Sequence, residues 1–147
     1  YATQGVGSGF DGGNSLKING TPSGNDFVFT VYAPSGLPTN ATKITFYVKG
    51  TSSKSLSLNV YRATTGYDVF NISNLTTSTI LQKSAINSAG NGSNKYTGLI
   101  NTNDTWVKVT LDISSVSINT NPSLGLFALK VGKSGAYNLN LDNFNIE

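Results

Sequence analysis

Any chemistry in this sequence falls to carboxylates, amides, hydroxyls, lysine and arginine, because it contains neither histidine nor cysteine. That removes Ser-His and Cys-His nucleophilic dyads and the usual zinc ligands. Glu147 is the only glutamate. Nothing in the spacing of Asp11, Asp26, Asp68, Asp104, Asp112 and Asp142 sets two of them about 5–10 Å apart across a cleft, as glycoside hydrolysis requires. The remaining groups suit a hard cation, since Asp carboxylates, Asn side chains and the carbonyls of Gly-rich turns are calcium ligands rather than transition-metal ligands. The candidate set is Asp142 in the last segment with Asp11 and Asn14 of the Asp11-Gly-Gly-Asn14 entry, in a structural role. The competing reading is that Asp142 caps a turn or bonds the backbone.

Saccharide recognition is the second available chemistry. It needs aromatic faces to stack on the apolar side of a sugar ring, with amides or charged groups beside them to bond its hydroxyls. Tyr47 and Lys49 stand at outward positions of one alternating segment, and Asn59 and Tyr61 at outward positions of the next. Lys130 joins them if the segment from Leu124 lies in the same sheet, and Arg62 and Tyr67 would form a rim. Each tyrosine alone also reads as an amphipathic strand residue with a wet hydroxyl. Trp106, the only tryptophan, stands at a strand entry and reads as a structural anchor. Gly7-Ser-Gly-Phe-Asp-Gly12 matches the dinucleotide pattern G-x-G-x-x-G, but it opens the chain as an irregular entry loop and leads into a strand rather than a helix, so the match is discounted.

The elements that must position these side chains are strands. Ile44, Phe46 and Val48 alternate with Thr45, Tyr47 and Lys49, and Leu56, Leu58 and Val60 with Ser57, Asn59 and Tyr61; the Thr51–Lys54 turn between them predicts a hairpin. Asn14–Gly20 is a shorter strand. Asp26–Tyr32 is another, with Phe27, Phe29 and Val31 inward, and Thr105–Ile113 a third with Val107, Val109, Leu111 and Ile113 inward. Tyr67–Phe70, Thr79–Leu81 and Lys95–Thr97 are candidate short strands, and Ser88–Asn94 reads as an exposed loop. Leu124–Val131, a Gly132–Gly135 turn and Ala136–Ile146 read as two more strands joined tightly. At Asn143 the phase slips, because Phe144 and Ile146 take the parity that Asn140 and Asp142 held, and this predicts a bulge at Asp142-Asn143. No stretch keeps apolar spacing at three and four residues, so little or no helix is expected.

Residues 1–147 are about one domain's length. About eight or nine short strands with Gly, Pro and Asn turns imply an all-β, antiparallel two-sheet β-sandwich. The net charge is +3 and the isoelectric point about 9.2, but the ten cationic residues are scattered. Nucleic acid needs a denser basic stripe and is not an expected partner. No membrane-spanning segment is present. A composition rich in Asn, Ser and Thr resembles secreted bacterial protein, and Tyr1 reads as the start of a domain taken from a longer chain.

Asn14-Ser-Leu-Lys-Ile after a Gly-rich entry, Thr105-Trp-Val-Lys-Val-Thr-Leu-Asp-Ile113, and Tyr137-Asn-Leu-Asn-Leu-Asp-Asn-Phe-Asn-Ile146 resemble the galactose-binding-like jelly-roll superfamily of carbohydrate-binding modules, over nearly the whole chain. The wording resembles extracellular modules of Bacteroidetes-type polysaccharide-degrading proteins. The resemblance implies a jelly-roll fold and a monomeric, non-catalytic module. Such a module is secreted or held at the cell surface, and keeps an attached glycoside hydrolase or polysaccharide lyase on its polysaccharide or oligosaccharide. It also implies one structural calcium ion at Asp142, with Asp11 and Asn14 as lesser ligands. The chain lacks the early glutamate and the second tryptophan of that pattern. The alternatives are a structural or adhesive sandwich module without a sugar site and, third, a small polysaccharide lyase.

Overall fold

The computed structural model describes residues 1–76 and 94–147 with their side chains and residues 78–81 by backbone alone. Apart from Asn94, the loop expected over Ser88–Asn94 lies outside the described residues. Every regular element described is a strand. In chain order they are β1 (Ala2–Gly5), β2 (Ser15–Gly20), β3 (Asp26–Tyr32), β4 (Lys43–Ser52), β5 (Leu56–Tyr61), β6 (Tyr67–Ile72), β7 (Ser78–Leu81), β8 (Ile100–Asn101), β9 (Val107–Asp112), β10 (Gly125–Val131) and β11 (Tyr137–Ile146). The larger sheet runs β1-β2-β11-β4-β9-β7, with β8 paired to β4, and the smaller runs β3-β10-β5-β6. All pairs are antiparallel except β7 beside β9.

The period of two explains the layers. Ile44, Phe46, Val48, Val109, Leu111 and Leu139 from the larger sheet meet Leu56, Leu58, Val60, Phe70, Phe127 and Leu129 from the smaller in one buried cluster, which makes the molecule a β-sandwich. The expected bulge is present: β11 loses register with β4 between Asp142 and Asn145, and Asn143 takes a φ of 52°. The extra residue returns Phe144 to the interior, where its ring stacks on Phe46 at 4.9 Å and on Phe127 at 5.8 Å.

Strand partners depart from expectation at two turns. The Thr51–Lys54 turn does not close a hairpin, because β4 pairs with β11, β9 and β8 while β5 pairs with β10 and β6. The Gly132–Gly135 turn likewise passes from β10 in the smaller sheet to β11 in the larger. Both are corners between layers, and they bond to each other: Ser53 N donates to Ala136 O, and Ala136 N to Ser53 Oγ, each at 2.9 Å. A strand with one apolar side satisfies its period whether its neighbour in sequence lies beside it or across the core, so alternation cannot distinguish the two.

Three smaller corrections follow the same logic. Phe27 is not inward: Lys130 pairs with Phe27 and Leu129 with Phe29, so Val28 is an extra residue that turns Phe27 outward, 53% exposed, beneath the Lys130 ammonium at 4.4 Å. The Gly-rich entry contains the edge strand β1, antiparallel to β2. Lys95–Thr97 is not a strand. Asn94 nearby lies over the outer side of β5, its amide nitrogen donating to Ser57 Oγ and to Asn59 Oδ1.

Candidate functional site

The proposed Tyr47–Tyr61 surface is not assembled. Tyr47 lies on β4 of the larger sheet and Tyr61 on β5 of the smaller, on opposite layers of the sandwich. Tyr47 is covered by Phe10, whose ring stacks on it at 3.9 Å and meets Trp106 edge-on at 6.0 Å. Lys49, beside Tyr47 in chain, pairs with Asp104 at 3.4 Å on the surface. Asn59 points outward as its parity requires, but it is 2% exposed under Asn94. Lys130 shares the smaller sheet with Asn59 and Tyr61 but not with Tyr47 and Lys49, and it is engaged with Phe27. Burial lowers its pKa, and the nearby Asp26 carboxylate opposes that shift.

Tyr61, Arg62 and Tyr67 do come together, at one end of the smaller sheet. Tyr67 pairs with Tyr61 across β5 and β6, and their rings meet edge-on at 6.0 Å. On the other side, Gly125 of β10 pairs with Tyr32 of β3 and lies against the Tyr61 ring, 3.3 Å from where a β-carbon would sit. Tyr32, Gly125, Tyr61 and Tyr67 therefore form a row across four adjacent strands. The residue without a side chain leaves room for the Tyr61 ring to lie over β10, on the side toward Tyr32.

Beside this row is a cleft of about 380 Å³ lined by Thr30, Tyr32, Tyr61, Arg62, Thr64, Gly66, Asn119, Leu124 and Gly125. Its walls are held by backbone. Arg62 N donates to Gly66 O at 3.1 Å to close the β5–β6 turn, and Asn119 N donates to Tyr61 O at 2.9 Å. The Asn119 side chain, 3% exposed, braces the 119–125 loop: Nδ2 donates to Gly125 O at 2.9 Å and Oδ1 accepts from Asn121 N at 3.0 Å. Asn119 thus shapes the cleft and spends its amide on its own loop.

Arg62 is held by two parallel bonds, Nε to Asp68 Oδ2 at 3.1 Å and an Nη to Oδ1 at 2.9 Å, on a carboxylate 2% exposed. The hydrogen bond to Asp68 raises the Arg62 pKa, desolvation opposes it, and the Asp68 charge adds to the rise. Burial, then the neighbouring Tyr67, raises the Tyr61 pKa, so its hydroxyl remains a neutral donor and acceptor at neutral pH. Sequence reasoning missed Tyr32, Thr30, Leu124 and Gly125. Outward parity was readable for Tyr32, but its neighbour two strands away was not.

The chain ends meet at Asp142. Its Oδ2 accepts from Phe10 N and its Oδ1 from Asn143 N, each at 2.8 Å, while Asp11 Oδ1 accepts from Gly13 N at 3.1 Å and Asn14 Oδ1 from Gly7 N at 3.1 Å. Gly9 permits the approach, since a β-carbon there would lie 2.8 Å from Asp142 Oδ2. Each of these oxygens accepts a backbone N–H. Among the described residues no three acidic side chains gather as a metal site. The arrangement fits the backbone-bonding reading of Asp142. Asp142 is half-buried, and Asp142→Ala is expected to cost about 1–2 kcal/mol and to raise hydrogen exchange at the Phe10 amide selectively. Unchanged protection at Phe10 would remove that reading.

Among the described residues no helix is long and apolar enough to cross a membrane. Comparison with protein-family models, with curated proteins and with solved structures finds no match.

Proposed function

We propose that the chain is a non-catalytic carbohydrate-binding module, which holds a polysaccharide or oligosaccharide at the Tyr32–Tyr61 cleft for a polysaccharide-degrading domain in the same secreted or cell-surface protein. The observation that carries this reading is the cleft beside that aromatic row: the Tyr32 and Tyr61 phenols line it with threonine hydroxyls and a guanidinium, and among the described residues no carboxylate does. Aromatic faces with a few polar groups are what a sugar ring demands, and a catalytic acid pair is not part of that demand. A jelly-roll assignment belongs to the same proposal. It is supported by β2-β11-β4-β9 facing β3-β10-β5-β6, with β2 to β5 alternating between sheets.

Affinity electrophoresis in polysaccharide gels tests the reading. Retardation by at least one glycan is expected, with Tyr61→Ala weakening it by about tenfold, as for a central interface tyrosine. Tyr47→Ala should leave binding unaltered. Equal losses in the two variants would remove the cleft as the site. The second reading, a structural or adhesive module, draws on the covering of Ser57 and Asn59 by Asn94, which leaves that part of the smaller sheet closed to a chain of sugars.

A further inference from the structure

The cleft also carries information about which class of saccharide it takes, an inference that rests on the proposed carbohydrate-binding role. Arg62 is the only arginine of the chain and, among the described residues, the only charged one lining the cleft. Its guanidinium is matched in a two-point bond by the Asp68 carboxylate, so the positive charge is compensated at its source. A carboxylated or sulfated sugar would have to compete with that carboxylate, or approach the arginine while the acid 2.9 Å behind it repels the newcomer.

Apart from the Asn119 amide, which is spent on its own loop, the other polar lining side chains are hydroxyls. Thr30 and Thr64 are exposed side chains, and Tyr32, 62% exposed, and Tyr61 add phenols. Hydroxyls donate and accept in turn and match the hydroxyls of an uncharged sugar without a charge to desolvate. Leu124, 55% exposed at the cleft, adds apolar surface for the C–H face of a ring. Among the described residues no lysine lines the cleft. Lys49 is paired with Asp104 on the larger sheet, Lys130 sits over Phe27, and Lys54 donates to Lys133 O at the inter-sheet corner.

We infer that the Tyr32–Gly125–Tyr61 cleft is a site for neutral saccharides, and that any attraction of acidic polysaccharides to this basic protein occurs outside it. At about 380 Å³ the cleft is at the small end of ligand pockets, so it holds a short stretch of sugar.

The test is affinity electrophoresis and titration calorimetry of the whole chain against neutral polymers (xylan, mixed-linkage glucan, galactomannan) and acidic ones (alginate, polygalacturonate), at low and high salt. The variants are Tyr61→Ala, Tyr32→Ala and Gly125→Val, each checked for folding by circular dichroism. Tyr32 is largely exposed, so its variant reports on binding even if Gly125→Val fails to fold. The expected result is a neutral polymer bound with little salt dependence and weakened about tenfold by each substitution. Any acidic polymer binding should fade with salt and ignore the substitutions. Acidic polymer binding that depends on Tyr61 and Tyr32 would overturn the neutral assignment and leave the sugar site standing. Failure of every polymer to bind would overturn the carbohydrate reading, and this inference with it.

Discussion

Replacing Phe46 by alanine is expected to destabilise the protein by about 3–5 kcal/mol, the range for a buried aromatic whose cavity only partly collapses. Phe46 is fully buried on β4 and stacks on Phe144 of β11. Phe144 in turn contacts Phe127 of β10 at 5.8 Å and Phe29 of β3 at 5.6 Å, so the four rings fasten one layer to the other. For a domain of this length the loss corresponds to a fall in melting temperature of about 10–15 °C by calorimetry. Phe144→Ala should cost less, because Phe144 is only partly buried. The reverse order would mean that the bulge at Asp142-Asn143, rather than the interior on β4, carries the contact between layers.

Tyr137→Phe is expected to cost about 2–4 kcal/mol although it removes one atom. The Tyr137 hydroxyl donates to Ser55 O and accepts from Gly132 N, each at 2.8 Å in a buried setting, and so ties together the two corners at which the chain changes sheet. Phenylalanine leaves a buried carbonyl and a buried N–H without that partner, at about 1–3 kcal/mol each. The variant should show a lower urea midpoint with an unchanged slope. A loss below about 0.5 kcal/mol would show that water replaces the hydroxyl at both groups.

The same residue sets a pH dependence. Burial raises the Tyr137 pKa above the ordinary 10.0, and the hydrogen bond from Gly132 lowers it by a smaller amount. A group whose folded pKa is raised contributes stability that is complete below its unfolded value and lost as pH rises through its folded value. Stability should therefore hold up to about pH 10 and fall above it, since a phenolate cannot donate to Ser55 O. Tyr96, also raised by burial, adds to the fall. Urea melts across the alkaline range should show a shallower decline for Tyr137→Phe than for the wild type.

The sequence by itself determined which residues face inward on most strands, and where that rule breaks. The alternations in β4, β5 and β9, and the phase slip that makes Asp142-Asn143 a bulge, follow from a period of two against an apolar interior, which is a local property. Val28 shows the limit, because an extra residue opposite Leu129 and Lys130 reversed Phe27 without a sign in its own segment. What only the tertiary structure decided is adjacency. Ser53 and Gly132 stand at corners rather than hairpin tips, which put Tyr47 and Tyr61 on opposite layers and brought Tyr32, 29 residues away in sequence, beside Gly125 and across from Tyr61. Alternation tells a strand which side to bury, whereas its neighbours follow from how two twisted layers share one interior, a choice spread over the whole chain.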